Sequence, residues 1–471
     1  MYMNMNFENV KFGNEGRDKI ISGVKLAADA LEVTYGPNGK NSIVSIGNTL
    51  KVTKDGYNTV MSVNDTDPYV KMGIKLVQDT CEKTAKDVGD GTSTSGILVR
   101  EFIEAFKDQP DPILVARNMQ TDAQFVIKEL QKKAKPVKSK QDLIRVAAIS
   151  ANNDATIGGT VATAFEQVGK DGIVTIEESE GVKDTVEYSE GFRIDNGYYS
   201  PYFINTSKNT CELENVKVHI SSVKMEELKE VVTLADAAVR EKKSLLLIAP
   251  EFDSEILVFL STNLSLLKSC VVISPNHGNY RNIMLDDMNL LLGTKSECKK
   301  VVITKDTTTF VGLKDNVDTT EKVAQIKSLI KEGDLSEFDL NFHKKRLANF
   351  TAGIATIHVG GYSKIEMQER YDRFEDAVCA TQAALNGGIL AGGGTALREV
   401  VEKLKFNECF TKVLQTPSRL LNTESITSKE MLKKSVIEPF LVTKTVLENA
   451  VSTASMILTT DVAIVNNNYM N

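Results

Sequence analysis

The sequence predicts a multidomain α+β protein in which a mostly helical domain is assembled from both chain ends around an inserted α/β segment. Three observations carry that expectation. The chain has 471 residues, more than one hydrophobic core usually supports. Apolar residues recur at helical spacing through roughly the first 135 residues and again from about Tyr371 onward. Between these parts, Gly172–Ile176, Ser244–Ala249, Cys270–Ser274 and Val301–Thr304 read as short strands alternating with helical segments.

Taken in order, the first helical part is interrupted once. Ser42–Ile46 and Thr49–Thr53 flank Gly47-Asn48, a two-residue turn of the hairpin type. The charged run Lys132–Lys140, broken by Pro136, fits a joint between domains and fits a solvated helix end equally well. After the mixed middle, the helical pattern breaks at the glycine cluster Gly387-Gly388 and Gly392-Gly393-Gly394.

Composition removes several function classes. With 42% apolar and 25% charged residues, the chain has the make-up of a globular protein and no low-complexity tract. No segment reaches the roughly 18 consecutive apolar residues of a membrane span, and Met1–Asn6 lacks a basic region followed by an apolar core, so a cytoplasmic protein without a membrane partner is expected. A net charge of −7 argues against a dedicated nucleic-acid binder. The six cysteines are scattered without a C-x-x-C pair, as free thiols in a reducing compartment would be. The four histidines are isolated, which leaves a histidine metal site or a Ser/His/Asp triad little support.

Three short segments carry the chemistry of a phosphate site. Gly89-Asp90-Gly91-Thr92-Ser93-Thr94-Ser95 packs glycines, hydroxyls and one carboxylate into the start of a helix, where backbone N–H groups and the helix dipole favour an anion. Asp90 suits such a place only if a cation lies between it and the phosphate, the usual way proteins hold Mg²⁺. An ordinary Asp/Thr/Ser cap fits the same residues. Thr34-Tyr35-Gly36-Pro37-Asn38-Gly39-Lys40 reads as a tight turn that permits close backbone approach. Thr53-Lys54-Asp55-Gly56 sets a cation beside a carboxylate at a strand end, and a turn with an exposed ion pair looks the same. Neither a Walker A loop nor a Rossmann fingerprint is present.

Taken together and in order, these segments resemble the nucleotide-site motifs of the group I chaperonins, the GroEL-like type. The similarity continues through Ile149-Ser150-Ala151-Asn152, Gly197–Ile204, Ile303–Thr309, Arg373–Ala377 and Ala391–Gly394, over nearly the whole chain. It implies a divergent, shortened member with an equatorial domain at 1–134 and 388–471, an intermediate domain at 135–189 and 354–387, and an inserted apical domain at 190–353. Hinges are expected near Pro136, Gly388, Gly191 and Gly353.

The resemblance also implies roles. Asp90 would hold Mg²⁺; Thr34, Tyr35, Gly36 and Pro37 with Gly91, Thr92, Ser93 and Thr94 would surround the phosphates of ATP, and K⁺ is a further candidate ion. Lys54 would help hold the anion, Asp55 would orient the attacking water, and Gly393 would lie near the ribose. Glu438 stands where the family carries an aspartate near that sugar. Asp376 lies off the helical stripe Phe374, Ala377, Val378, Thr381, Ala384 and Leu385, as a solvated carboxylate would. By resemblance it is lowered onto the γ-phosphate when the intermediate domain closes, making the chain an ATP hydrolase.

The implied partners are non-native polypeptides and further copies of the chain, in a seven-membered ring. Client contact is expected at Tyr198, Tyr202, Phe203, Val232, Ala235 and Leu257. Departures from the family leave the lid co-chaperonin and ring number open. Ser261 and Thr262 stand where apolar residues are usual, and only about forty residues separate Gly394 from Glu438-Pro439, omitting the segment that would cover the adenine. The last residues, Asn466–Asn471, are not a Gly/Met-rich tail. A nucleotide-binding holdase or scaffold without an encapsulating cycle is the alternative.

Overall fold

The computed structural model describes residues 10–46, 49–170, 172–179, 181–206, 209–314, 317–331, 335–404 and 406–465. They divide into two compact units: the described residues of Met1–Thr163, Glu178–Lys183 and Val359–Asn471, and those of Ala164–Glu177 and Asp184–His358.

The first unit begins with β1 (Val10–Phe12) and α1 (Gly13–Val33). Buried Ile20, Val24, Ala27, Ala28 and Leu31 recur along α1 at helical period and turn one face inward. The hairpin follows as predicted, β2 (Ser42–Ile46) against β3 (Thr49–Thr53), with Ile43 opposite Val52 and Ser45 opposite Leu50. The turn residues Gly47 and Asn48 lie outside the described residues, as do Met1–Asn6 and Asn466–Asn471. Then come α2 (Gly56–Met61), α3 (Pro68–Val88), α4 (Thr92–Phe106), α5 (Pro112–Lys133), α6 (Lys140–Ser150) and α7 (Ala155–Val168). Starts of these helices carry local signals. Asp67 caps α3 with Pro68 at its first position, and Ser139 with Asp142 forms a capping box on α6.

The second unit is built on one mixed sheet in the order β4-β11-β5-β10-β9-β6-β7-β8. Its elements in sequence are β4 (Ile173–Glu178), β5 (Thr185–Ile194), β6 (Cys211–Ile220), α8 (Leu228–Glu241), β7 (Ser244–Ala249), α9 (Ser254–Thr262), β8 (Ser269–Ile273), α10 (Gly278–Leu292), β9 (Glu297–Ile303), β10 (Thr308–Leu313), α11 (Thr320–Lys331), α12 (Glu337–Thr351) and β11 (Gly353–Val359). Strands β6, β7 and β8 run parallel, with α8 and α9 as crossovers. β7 is buried at every position, so it reads as an unbroken apolar run. The predicted strands are all present, and β5, β6, β10 and β11 enlarge the sheet beyond them. Phe192 and Phe310 stack in its core at 4.3 Å between ring centroids. Buried Arg346 makes a two-point ion pair with Asp287 at 2.5 and 3.0 Å, joining α12 to α10.

The chain then returns to the first unit through α13 (Lys364–Gly387), β12 (Ile389–Ala391), α14 (Thr395–Leu404), α15 (Glu408–Leu420), α16 (Ser428–Lys433), β13 (Ile437–Pro439), α17 (Phe440–Leu458) and β14 (Val462–Ile464). Helix α17 contributes Val446, Leu447, Ala450 and Val451 to the same core as Leu31, Val77, Leu98 and Phe102. Two of its buried polar residues are satisfied across the seam to α3: Thr80 and Thr453 share a 2.7 Å hydrogen bond, and Asn449 donates to Thr84 at 3.1 Å. β14 pairs antiparallel with β1, Phe12 facing Val462, so segments from opposite ends of the chain complete one domain. At the expected lower hinge, Lys135 and Ile389 exchange backbone hydrogen bonds of 2.9 and 2.7 Å, and Gly388 beside them has φ +84°. No helix among the described residues is long and apolar enough to cross a membrane.

Candidate nucleotide site

The loop between α3 and α4 is set by two glycines in left-handed conformation. Gly89, at φ +68°, closes α3, and Gly91, at φ +83°, opens α4. Neither has room for a side chain, because a Cβ at Gly89 would lie 2.1 Å from the Cβ of Cys379 on α13, and one at Gly91 2.5 Å from Val446 on α17. Asp90 between them is held at both oxygens. The Gly91 N–H donates to Oδ1 at 2.5 Å and the Ser150 hydroxyl to Oδ2 at 2.8 Å. No side chain caps α4, so the first N–H groups of Thr92, Ser93 and Thr94 are left for a ligand.

Two further segments border this helix start. Asp55 caps α2 by accepting from the N–H groups of Tyr57 at 3.1 Å and Asn58 at 2.8 Å. Gly56, next in sequence, lets α2 approach closely: a Cβ there would fall 2.0 Å from the Ser93 hydroxyl oxygen. That contact sets the start of α2, which Asp55 caps, beside α4. Lys54 is exposed. The Thr34–Pro37 turn follows α1, with the Thr34 hydroxyl donating to the Leu31 carbonyl at 3.0 Å. Its Tyr35 phenol accepts from the Thr94 hydroxyl at 3.4 Å and is pushed up to about 12 by burial. Gly36 and Pro37 are exposed.

The C-terminal part supplies the rest. Gly393 has φ +67° and its carbonyl accepts from the Thr423 hydroxyl at 2.7 Å. Glu438 sits on β13 opposite Leu390 and accepts from Thr443 at 3.1 Å. Asp376 on α13 has no hydrogen-bond or ion-pair partner among the described residues. Loss of hydration, then the negative charges of Asp90 and Asp55, hold its carboxyl well above the usual range. Asp90 is raised by burial against the opposing bonds from Ser150 and Gly91, and burial brings Glu438 to about 7. All three keep some accessible surface, yet enough protein surrounds them to strip much of their hydration.

Among the described residues, no group of three or more acidic, histidine or cysteine side chains forms a metal cage by itself. The donor set instead fits a cation held by one carboxylate together with a ligand's own oxygens. The unpartnered Asp376 and its repulsion by Asp90 and Asp55 fit the same description, since added positive charge relieves both. Without a ligand the raised carboxyls make stability depend on pH. A group raised in the fold stabilises fully below its unfolded value and loses that contribution as pH rises through its folded value. For Glu438 the window runs from 4.5 to about 7. Thermal unfolding of the ligand-free protein should therefore give a higher Tm at pH 6 than at pH 8; equal values would contradict this electrostatic picture.

Of the predicted site residues, Asp55, Asp90, Asp376, Tyr35, Thr94, Ser93, Gly91 and Glu438 are linked by these contacts and charges into one constellation. Ser150, Cys379, Thr443 and Gly56 belong to it too and carried no assigned role in the sequence. The only signal for Ser150 was its place in the Ile149–Asn152 motif; Cys379 had the helical spacing of i+3 from Asp376.

In the second unit the expected client residues separate by exposure. Tyr202 is 79% exposed, whereas Phe203 at 1% and Ala235 at 6% are core. Tyr198, Val232 and Leu257 are half-buried. The burial of Phe203 and Ala235 differs from the expectation of client contact, because apolar character alone does not separate a core face from an exposed one. Between α8 and α9 lies an open depression of about 370 Å³ lined by Leu228, Ser254, Glu255, Val258 and Phe259. Ser261 and Thr262 turn their hydroxyls back to the Val258 carbonyl at 3.1 and 2.8 Å, so the last turn of α9 is less polar outward than its sequence suggests.

The described residues thus comprise one compact unit drawn from the early and late parts of the chain and one built on the mixed sheet. Residues 27–246 match the TCP-1/cpn60 chaperonin family. The fold is similar to the crystal structure of the chaperonin gp146 from the bacteriophage EL 2 (Pseudomonas aeruginosa), solved in the presence of ATP-BeFx. In one crystal form the TM-score is 0.73 at 20% identity, over 97% of this chain and 99% of that one. In the other it is 0.68 at 20% identity, over 98% and 99%. The chain thus resembles the TCP-1/cpn60 chaperonins in sequence over 27–246 and shares the fold of a chaperonin over nearly its whole length.

Proposed function

We propose that this chain is the subunit of an ATP-driven chaperonin that captures non-native polypeptides and assists their folding within an oligomeric ring. The observation that carries this reading is the gathering of Asp55, Asp90 and Asp376, from three distant parts of the chain, at the uncapped start of α4. In this reading the N–H groups of Thr92, Ser93 and Thr94 and the Thr34–Pro37 turn bind phosphate, with Lys54 adding positive charge. Asp90 is the residue that would hold Mg²⁺, and K⁺ is a second candidate ion. When bound, the cation neutralises phosphate oxygens and offsets the repulsion among the carboxylates. Gly393 and Glu438 face the ribose. Asp55, already oriented as a cap, positions the attacking water, and Asp376 completes the site. Hydrolysis then rests on positioning and charge neutralisation.

The three-domain division stated from the sequence goes with this reading, the segment 190–353 being the client-binding part. Exposed Val258 offers apolar contact at the α8–α9 depression, and Tyr202 is exposed in the same unit. Assembly is supported by two small sheets with apolar faces open to solvent. Ile43, Leu50 and Val52 lie exposed on the hairpin, as do Phe12, Val462 and Ile464 on the β1–β14 pair. Two-stranded sheets are marginal alone, and a neighbouring copy would complete their edges. Seven copies follow from the family likeness, and the cytoplasm is the proposed compartment. The gp146 chaperonin, crystallised with ATP-BeFx, is consistent with nucleotide use here.

One observation favours the second reading, a nucleotide-binding holdase or scaffold: with Phe203 and Ala235 in the core, the apolar client surface is narrow. Imaging of the purified protein without nucleotide, with ATP and with ADP, alongside refolding of an aggregation-prone client, separates the two. Rings with ATP-dependent rescue are expected; rings that prevent aggregation without ATP-dependent refolding select the holdase. Absence of both rings and rescue overturns the chaperonin reading.

A further inference from the structure

Asp376 acts from α13, and the structure contains the contacts that fix α13 against the phosphate loop. Helices α6 and α13 are packed as a pair, with Val146 against Ala380 and Ala384, all three essentially without exposure. Ser150 is the last residue of α6, one turn beyond Val146. Its hydroxyl donates to Asp90 Oδ2 at 2.8 Å. On the other side, Cys379 of α13 fills the space where Gly89 lacks a side chain. The helix pair therefore touches the loop at two consecutive residues, by packing at Gly89 and by a hydrogen bond at Asp90.

We propose that Ser150 is a positioning residue that latches the α6–α13 pair to the phosphate loop, so that Asp376 is held over the site while Asp90 is oriented for its ligand. The latch rests on the nucleotide-site reading given above. A hydroxyl bound to a carboxylate is stronger than a bond between neutral groups. It is also the one direct hydrogen bond between α6 and Asp90 among the described residues. The Gly91 N–H holds the other oxygen from within the loop, so removing the Ser150 hydroxyl frees the helix pair without releasing Asp90 altogether. Cys379 reports the motion. Its side chain packs against Gly89, where an added Cβ would fall 2.1 Å from the Cys379 Cβ and 2.4 Å from its sulfur, so its thiol becomes more open to a reagent when α13 lifts from Gly89.

The test uses the full-length protein as it assembles, with Ser150→Ala and Ser150→Thr. Alkylation by N-ethylmaleimide is followed at Cys379 by peptide mass spectrometry, which separates it from the other five cysteines, and the kinetics of MgATP hydrolysis are measured on the same preparations. Ser150→Ala should raise the rate of Cys379 alkylation without nucleotide about tenfold and lower kcat by a similar factor with KM little changed. Ser150→Thr, which keeps the hydroxyl, should restore both. Alkylation at the wild-type rate in Ser150→Ala, or failure of the threonine to restore it, would overturn the latch. A wild-type protein that does not hydrolyse MgATP would instead overturn the nucleotide-site reading. The nucleotide-free alkylation rates decide the latch in that case as well, and thermal unfolding of each variant verifies that it is folded.

Discussion

Asp376→Ala should bind ATP with near wild-type affinity and hydrolyse it about 100-fold more slowly or worse, the usual loss for a group that acts in the transition state. Binding should survive because the phosphate-facing groups, the start of α4 and the Thr34–Pro37 turn, are positioned by contacts that do not involve Asp376. Turnover should fall because Asp376 is the α13 carboxyl on which the charges of Asp90 and Asp55 bear. The unpartnered state of Asp376 matters here: a carboxylate kept in a site without a donor raises the energy of the empty fold. Such a group does not stabilise the empty fold, in keeping with its proposed role in turnover. Parallel measurement of ATP affinity and single-turnover hydrolysis checks this, and equal loss of both would remove Asp376 from its proposed role.

Asp90→Asn should have effects of opposite sign on activity and stability. The amide keeps the size of the side chain and an oxygen for one donor, but cannot supply the negative charge that a magnesium ion requires. ATP turnover should drop about a thousandfold or more, as on removal of a principal electrostatic element. The ligand-free protein should at the same time become more stable by about 1 kcal/mol, or roughly 2 °C in Tm, because one charge leaves a cluster in which Asp90 and Asp376 repel each other. Steady-state hydrolysis and calorimetry on the same samples read both signs. A variant that loses stability and activity together would indicate that Asp90 serves the fold.

Legibility in the sequence followed the distance over which each feature is determined. The hairpin at Ser42–Thr53 and the buried strand Ser244–Ala249 were readable because their patterns are local. β6 was not, and the reason lies in one residue: buried Cys211 and Leu213 fall in one alternating phase, Val216 and Val218 in the other, with left-handed Asn215 at φ +48° between them. A period-two search loses such a strand at the slip. The same holds for the site. Asp55 and Asp90 sit in segments with helix-start chemistry and were visible as candidates. Asp376 was visible only through the family likeness, since spacing alone fits a solvated carboxylate as well. Ser150 and Cys379 acquire meaning only when α6 and α13 meet the loop, through contacts spanning 60 residues in one case and most of the chain in the other. Phe203 and Ala235 show the converse, apolar residues whose burial depends on the sheet beneath them.

The central claim is that carboxylates from three distant segments form one ATP-hydrolysing site in which Asp376 serves turnover and not binding. Single-turnover hydrolysis of MgATP by the assembled wild-type protein beside Asp376→Ala, with bound nucleotide quantified in both, tests it most directly. Equal occupancy with hydrolysis confined to the wild type is the expected result. Equal hydrolysis by both proteins, or none by the wild type despite full occupancy, would contradict it.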